Sequence, residues 1–345
     1  MADKRKRNTR VVTLGDAEIQ PGQRRSVELP VTDLYTHTGM SMPVEVINGR
    51  LDGPTLFVCA AIHGDEINGV EIVRRLLASK SLSRLRGTLI AIPIVNVLGF
   101  LNLSRYLPDR RDLNRSFPGS QRGSAASRLA YIFCEQIVRQ ADFGIDLHTA
   151  AVHRANLPQI RAQLNNPVTR ELADAFAAPV IVDASQREGS LRSFAISRDM
   201  PLLVYEAGEA LRFDEMSIRA GVRGVLRVMR KIGMLPGKPP APFGDPVIAR
   251  DSAWVRAPQS GIVVYRAKLG ARVKKDEVVA TLSDPFGNNL YDVSSPHHGI
   301  VIGSAQLPLA HEGDALCHIA EFEAPVAAER TVAAFQAHQR NNPVG

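Results

Sequence analysis

The stretch TLFVCAAIHGDEINGVEIVRRLLAS, residues 55–79, contains both of the structural periods on which the fold depends. Its first third is a continuous apolar run of the kind that forms a fully buried strand. Its last half places apolar residues at helical spacing, so an amphipathic helix is expected after the strand. His63 and Glu66 lie at the junction between the two. The junction is therefore either an ordinary polar turn or the start of a metal site.

The same alternation of strand and helix continues to about residue 235. Further strands are expected at TLIAIPIVN (88–96), FGIDLHTA (143–150), PVIVDA (179–184) and PLLVYEAG (201–208), and further helices at SAASRLAYIFCEQIVRQA (124–141), NPVTRELADAFA (166–177) and SIRAGVRGVLRVMRKIG (217–233). Apolar strands that alternate with amphipathic helices predict an α/β domain, residues 41–240, with a mixed sheet covered by helices on both faces. In such sheets the functional residues gather at the carboxyl ends of the strands.

The composition changes at LPGKPPAPFGDP (235–246), a Pro/Gly-rich stretch that predicts a domain boundary. The residues beyond it form short apolar runs and turns, with a weak internal repeat. APQSGIVV (257–264) matches SPHHGIVI (295–302). Two similar β halves predict a small all-β barrel-sandwich domain over residues 247–325.

The two ends of the chain and its charge limit the classes of function. Residues 1–40 are expected to form a basic tail with edge strands, and residues 326–345 a C-terminal tail. The net charge of +7 is spread along the chain, apart from the basic first ten residues. Aromatic residues do not interleave a basic stripe, so we expect no nucleic-acid partner. No apolar run reaches the roughly 18 residues of a membrane helix, so no membrane partner is expected.

The cysteines and the N-terminus indicate the compartment. The three cysteines are widely scattered and form no CxxC motif, which argues against a disulfide framework. No apolar segment follows the basic N-terminus, so it is not read as a secretory signal. These features predict a soluble protein of the reducing cytoplasm, with a homo-oligomer as an open possibility.

A metal site gains support from a second strand end. His63 and Glu66 alone are weak evidence for a metal site, because H-x-x-E spacings are common by chance. His148, however, ends the apolar run FGIDLHTA, and Asp146 two residues earlier lies on the same strand face, where it can orient the imidazole. Two histidines and one carboxylate leave a fourth position open for water, as in catalytic zinc sites.

Two further features predict the remaining parts of an enzyme site. Glu206 ends the apolar run PLLVYEAG and is a candidate general base, with Glu209 as the alternative. The segment RYLPDRRDLNRSFPG (105–119) contains four arginines, and the planar guanidinium group suits carboxylate recognition. Each feature alone is equally consistent with exposed polar residues, but together they predict a hydrolytic site.

These residues resemble the succinylglutamate desuccinylase/aspartoacylase family of the zinc carboxypeptidase clan. The matching motifs occur in the family's order over roughly residues 40–235. They are HGDE (63–66), RY (105–106), DLNRSFPG (112–119), DLHT (146–149) and YEAG (205–208). The resemblance implies a zinc-carboxypeptidase-like mixed sheet and one Zn²⁺ per chain, bound by His63, Glu66 and His148. It also implies that Glu206 activates the attacking water.

The resemblance further implies a substrate-binding segment. Asn114 and Arg115 would hold the carboxylate of an amino acid, and Asp112 of the same motif is predicted to contribute to substrate binding. Arg105 would polarise the scissile carbonyl. The spacer LPDRR between the RY and DLNR motifs is slightly longer than expected, so Arg110 or Arg111 can take that role instead.

The C-terminal half is similar to biotinyl/lipoyl domains and to the C-terminal domain of the same family. The resemblance implies that a tyrosine from this half assists the site, with Tyr291 and Tyr265 as candidates. Cofactor-carrying members use a lysine between the two halves, but residues 276–310 contain none. A carrier role is therefore not expected.

The predicted activity is hydrolysis of a small N-acyl amino acid to a carboxylate and a free amino acid. The alternative within the same chemistry is a zinc carboxypeptidase that acts on small peptides. A non-catalytic binding protein is the hypothesis from another class. It is disfavoured because the ligands, the base and the arginines are all present.

Overall fold

The computed structural model describes residues 6–184, 186–241, 244 and 246–341. The strands are β1 (Val12–Leu14), β2 (Ala17–Ile19), β3 (Arg24–Asp33), β4 (Gly39–Asn48), β5 (Leu51–Ala60), β6 (Arg86–Ile92), β7 (Phe143–Ala150), β8 (Arg154–Ala162), β9 (Val180–Asp183), β10 (Leu202–Glu209), β11 (Val247–Ala249), β12 (Asp251–Arg256), β13 (Gly261–Tyr265), β14 (Arg272–Val273), β15 (Val278–Ser283), β16 (Tyr291–Ser294), β17 (Gly299–Ala305), β18 (Leu309–Ala310) and β19 (Ala315–Glu321). The α-helices are α1 (Asn68–Leu77), α2 (Val97–Leu101), α3 (Ala125–Gln136), α4 (Pro167–Phe176), α5 (Leu191–Ile196), α6 (Glu215–Lys231) and α7 (Pro325–Asn341).

The centre of the main sheet is parallel. Among the described residues this sheet has thirteen strands, and its main path runs β12-β19-β17-β8-β10-β7-β5-β6-β4-β3. Strand β5 pairs in parallel with β6 and β7, and β7 pairs in parallel with β10. Strands β4 and β8 flank this centre in the antiparallel direction. The carboxyl ends of β5, β7 and β10 therefore meet at one edge of the sheet.

Helices cover both faces of the sheet, which confirms the predicted α/β class. On one face, α1, α4, α6 and α7 bury an apolar cluster that includes Leu147 and Tyr205. On the other face, α3 and α5 bury a second cluster that includes Phe57 and Phe133. Because both faces are buried, β5, β7 and β10 consist almost entirely of apolar residues until they reach the edge.

The C-terminal region contributes an antiparallel sheet and also joins the main sheet. Strand β17 pairs with β8, so hydrogen bonding crosses the predicted boundary at residues 240–247 without interruption. A second sheet, β16-β15-β13-β18, encloses an apolar core with the outer strands of the main sheet. The two repeated sequences begin strands of different sheets, and Val263 of β13 and Val301 of β17 share this core. The division into two domains and the lipoyl-like barrel stay predictions.

The described residues near both ends of the chain form strands and a helix. Residues 1–5 lie outside the described part, but β3 forms an edge of the main sheet, as expected for an edge strand. Residues 326–341 of the predicted C-terminal tail lie in the helix α7, which packs against α6 and buries Phe335 in the main core, and residues 342–345 lie outside the described part. No described helix is long and apolar enough to span a membrane.

Shortening Phe335 tests whether α7 belongs to the fold. Its side chain is 3% exposed and lies in the same core as the central strands. We expect Phe335→Ala to lower the free energy of unfolding by about 3–5 kcal/mol, because it removes buried surface and leaves a cavity. Thermal unfolding measures this change. Phe286→Ala is the matched control, since Phe286 is 87% exposed. Equal unfolding temperatures for the two variants would contradict the packing of α7.

Candidate active site

Three strand ends bring the predicted functional side chains together. His63 and Glu66 lie in the loop between β5 and α1. His148 lies near the end of β7, and Glu206 of β10 is its partner in the parallel register. All four residues line one cavity of about 290 Å³. The convergence that the sequence predicts from separate motifs is therefore present.

His63, Glu66 and His148 form a compact group of potential metal ligands. The Nδ1 atom of His63 lies 2.7 Å from Oε1 of Glu66, and the Nδ1 atom of His148 lies 2.7 Å from Oε2. One ligand atom from each residue lies within 4.8 Å of the others, and all three residues are buried. The group can therefore hold a metal ion.

Outer partners fix the orientation of both rings. The Nε2 atom of His63 lies 3.1 Å from Oδ1 of Asp112, and that of His148 lies 2.8 Å from Oδ2 of Asp146. Glu66 also accepts a hydrogen bond of 3.0 Å from the backbone N–H of Thr149. Carboxylates on the far nitrogen of a ligating histidine set the tautomer and raise the basicity of the ring. Asp146 thus has the orienting position that the sequence predicts for it.

The charges of the group fit a cation. Burial raises the pKa of Glu66, but the charges of His63 and His148 outweigh burial and hold it well below its usual range. Burial likewise lowers the pKa of His148, yet Asp146 and Glu66 raise it well above its ordinary value. The histidines therefore hold protons whose positive charge balances the carboxylates. A bound divalent ion would displace these protons and balance the carboxylates in their place. Two imidazole nitrogens and a carboxylate are a ligand set that suits Zn²⁺.

The ligand loop depends on a glycine. A Cβ atom on Gly64 would lie 2.0 Å from the backbone carbon of Gly99 and 2.1 Å from the nitrogen of Phe100. The loop therefore packs directly on the backbone of α2, which leaves no room for a side chain. This close contact holds His63 in place on one side, while α1 begins just beyond Glu66 on the other.

Glu206 is the better placed of the two candidate bases. It is half-buried, lines the cavity, and accepts a hydrogen bond of 2.9 Å at Oε2 from the side-chain nitrogen of Asn156 on β8. Glu209 instead accepts a hydrogen bond from the backbone of His153 and does not line the cavity. Asn156 is a functional candidate that the sequence alone did not indicate.

The arginine-rich segment supplies Arg105 to the cavity. Its guanidinium group donates to Oε1 of Glu66 at 3.3 Å and to Oδ2 of Asp112 at 3.0 Å. Of the two alternatives, Arg111 forms a distant ion pair with Asp109, and neither it nor Arg110 lines the cavity. The structure thus favours Arg105 for contact with a substrate.

Asp112 has a different position from the one predicted. Its carboxylate is bonded to His63 and Arg105 and also accepts from the backbone of Asn114, so it supports the site and is not free for a substrate. Asn114 and Arg115 do line the cavity. The side-chain oxygen of Asn114 accepts a hydrogen bond of 2.9 Å from the backbone of Leu191, which leaves its amide nitrogen as the group that can face a ligand.

The predicted tyrosines do not reach the cavity. Tyr291 lies on β16 of the smaller sheet and is 47% exposed, and the hydroxyl of Tyr265 donates to the backbone of Leu307. The C-terminal aromatic residue that does line the cavity is Trp254 of β12. Trp254 reaches the cavity because β12, β19 and β17 extend the main sheet beyond β8.

The remaining lining residues include four arginines. They are Arg154, Arg161, Arg187 and Arg192, with Asp146, Thr149, Ala150, Ala151, Ser190 and Val204. A larger cavity of about 970 Å³ lies elsewhere, bordered by residues 22–24, 47–51 and 77–86. It has no histidine, cysteine or carboxylate among its lining residues, so the smaller cavity is the candidate active site.

Comparison with known proteins agrees with this geometry. The model of the succinylglutamate desuccinylase/aspartoacylase catalytic domain matches residues 52–232. The N-alpha-acetyl-L-2,4-diaminobutyric acid deacetylase of Halomonas elongata is 25% identical over 321 residues, which cover 89% of this chain and 93% of the relative.

Solved structures share the fold over nearly the whole chain. A succinylglutamate desuccinylase/aspartoacylase from Rhodobacter sphaeroides is 26% identical, with a TM-score of 0.77, and the match covers 87% of this chain and 96% of that protein. The product-bound ectoine utilization protein from Ruegeria pomeroyi is 24% identical, with a TM-score of 0.81 over 91% of this chain and 99% of that one.

Proposed function

Because the chain belongs to the succinylglutamate desuccinylase/aspartoacylase family, we propose that it is a zinc-dependent deacylase of N-acyl amino acids. The observation that carries the proposal is that the His63–Glu66–His148 group, Glu206, and Asn114 with Arg115 line one cavity. A metal group, a base and a carboxylate anchor are the parts that amide hydrolysis of such a substrate needs. The activity named for the Halomonas relative supports the same class of reaction.

Each group of residues in the cavity has a separate role in the proposed hydrolysis. His63, Glu66 and His148 would hold Zn²⁺, which would supply Lewis acidity toward the amide carbonyl and a water molecule that is reactive near neutral pH. Asn114 and Arg115 hold the carboxylate of the amino acid. Arg105 donates to the carbonyl oxygen as negative charge develops on it.

Glu206 moves the proton. It takes one proton from the attacking water as the new carbon–oxygen bond forms, and it delivers that proton to the nitrogen as the carbon–nitrogen bond breaks. The products are a carboxylate and a free amino acid. Asn156 holds the carboxylate of Glu206 by its hydrogen bond, which keeps the other oxygen available for proton transfer.

A zinc carboxypeptidase that acts on small peptides is the second candidate, because the same residues serve both reactions. Family membership and the deacetylase activity named for the Halomonas relative support the deacylase. A cytoplasmic location and a homo-oligomeric state also stay predictions.

The test is a substrate comparison with protein whose zinc content has been measured. We expect about one zinc per chain, and kcat/KM values at least about ten-fold higher for acetyl- and succinyl-amino acids than for dipeptides of the same C-terminal residue. Protein treated with a chelator should be inactive, and it should recover when zinc is restored. Preference for dipeptides would favour the carboxypeptidase. Zinc-loaded protein that hydrolyses neither class would point to a binding protein.

A further inference from the structure

The outer partner of His148 is itself held from the neighbouring strand. Asp146 of β7 is in parallel register with Cys59 of β5, so the two side chains lie on the same face of the sheet. The thiol of Cys59 donates a hydrogen bond of 3.4 Å to Oδ1 of Asp146, and Oδ2 of the same carboxylate lies 2.8 Å from Nε2 of His148. A chain of hydrogen bonds therefore runs from Cys59 through Asp146 to a candidate metal ligand.

Both members of the Cys59–Asp146 pair are enclosed by protein. Asp146 is 1% exposed, and Cys59 is fully buried. In the described part of the chain, Cys59 is the only hydrogen-bond donor to Oδ1 of Asp146. A buried carboxylate oxygen without a donor is costly. Each oxygen of Asp146 thus has one partner of its own, and the two partners together fix the rotation of the carboxylate about its Cβ–Cγ bond.

A thiol suits this position because its surroundings are apolar. Cys59 belongs to the buried cluster that includes Phe57 and Phe133. A free cysteine packs like a small apolar residue and still offers one weak donor. Burial, and then the charge of Asp146, raise the pKa of the Cys59 thiol well above its ordinary value. The thiol therefore keeps its proton, and it acts as a hydrogen-bond donor and not as a nucleophile.

The same hydrogen bond joins the two strands that carry the candidate ligands. Cys59 is the second-last residue of β5, which leads into the loop with His63 and Glu66. Asp146 precedes His148 by two residues on β7, so their side chains share a face of the strand. The Nδ1 atom of His148 lies 2.7 Å from Glu66. A movement of the Asp146 carboxylate would therefore turn the His148 ring away from the other two ligands.

We infer that Cys59 is a positioning residue of the metal site, which holds the carboxylate of Asp146 and through it the ring of His148. The inference rests on the proposed function, in which His63, Glu66 and His148 would hold Zn²⁺. Cys59 does not line the cavity, so it acts through Asp146 and not on a substrate. Loss of its thiol should weaken the binding of a divalent ion without removing a ligand.

Zinc titration of the metal-free protein against a chromophoric chelator tests this role. We expect Cys59→Ala to bind zinc about ten-fold more weakly than the wild type, at the lower end of the effect of a lost outer partner. Cys59→Ser keeps a donor at the same position, so its zinc affinity should stay within about three-fold of the wild type.

Cys134→Ala is the matched control. Cys134 is 1% exposed and lies in the same apolar cluster as Cys59, but it forms no side-chain hydrogen bond among the described residues. Its loss leaves a similar cavity, yet its zinc affinity should equal that of the wild type. Equal zinc affinities for Cys59→Ala and Cys134→Ala would overturn the inference. A Cys59→Ser variant as weak as Cys59→Ala would also overturn it, because the size of the thiol and not its hydrogen bond would then be responsible.

Failure of the proposed function gives a different result. Zinc binding without hydrolysis of any N-acyl amino acid would contradict that function and leave the zinc titrations valid. If the wild type binds no zinc, proton NMR of the protein with isotope-labelled histidine decides the role of Cys59. The Nε2–H signal of His148, assigned by its loss in His148→Ala, should shift in Cys59→Ala and stay in place in Cys134→Ala. An unshifted signal in Cys59→Ala would overturn the inference.

Discussion

Replacing Glu206 with glutamine is expected to lower kcat for N-acyl amino acid hydrolysis by about a thousand-fold, within the range of general-base effects. Glutamine has nearly the same shape and can still accept the hydrogen bond that Asn156 donates to Oε2. It cannot accept a proton from water at neutral pH. The loss should therefore fall on the chemical step, with KM and the bound zinc nearly unchanged. Steady-state kinetics and metal analysis of the same sample measure both quantities.

Glu209→Gln is the matched control for this variant. Glu209 lies three residues further along β10, but it is bonded to the backbone of His153 and does not line the cavity. Its kcat should stay within about three-fold of the wild type, since surface changes away from a site have small effects. Full activity of Glu206→Gln, together with full zinc occupancy, would show that another group is the base.

The sequence predicted the centre of the fold and the candidate metal ligands for the same physical reason. Buried parallel strands are continuous apolar runs, so their ends are visible wherever a polar residue interrupts the run. The strand expected at residues 143–150 is β7 with the same bounds, and the helix expected after Glu66 is α1. His63, His148 and Glu206 all lie where such a run ends. Their approach to one another then follows from the parallel arrangement of the strands.

Strand β8 could not be predicted in this way. Its sequence, RANLPQIRA, is interrupted by Arg154, Pro158 and Arg161, and no apolar run remains to indicate a strand. Two of those interruptions are the arginines that face the cavity. Polar residues that line the cavity therefore interrupt the apolar pattern from which the strand would have been predicted. Asn156, the partner of the base, was missed with it.

Contacts between distant parts of the chain also could not be predicted from the sequence. Nothing near Trp254 indicates that β12 belongs to the same sheet as β5, since the connection runs through β19, β17 and β8. The hydrogen bond between Asp112 and His63 could not be predicted for the same reason, because it depends on how a loop folds back over a separation of 49 residues. Motif order identified Asp112 as a site residue, but only its contacts distinguish an outer partner from a substrate ligand.

Removing the His148 side chain is expected to abolish stable metal binding and, with it, hydrolysis. His148→Ala would leave two of the three ligands, and the carboxylates of Glu66 and Asp146 would both lose the imidazole that lies between them. Leaving buried charges without a partner typically costs about 3–5 kcal/mol. We therefore expect less than about 0.1 zinc per chain after dialysis at a zinc level that saturates the wild type, and a lower unfolding temperature. Metal analysis and thermal unfolding measure these effects.

Asp146→Asn is the control that separates a ligand from its outer partner. It keeps His63, Glu66 and His148 and changes only the group bonded to Nε2 of His148. Loss of such a partner weakens metal affinity by about 10- to 100-fold, so this variant should still bind zinc when zinc is in excess. His148→Ala should not recover under the same conditions, because a coordinating atom is missing and cannot be replaced by reorientation. Zinc bound to His148→Ala as tightly as to Asp146→Asn would mean that the imidazole of His148 is not a ligand, and that the metal is held by a different set of residues.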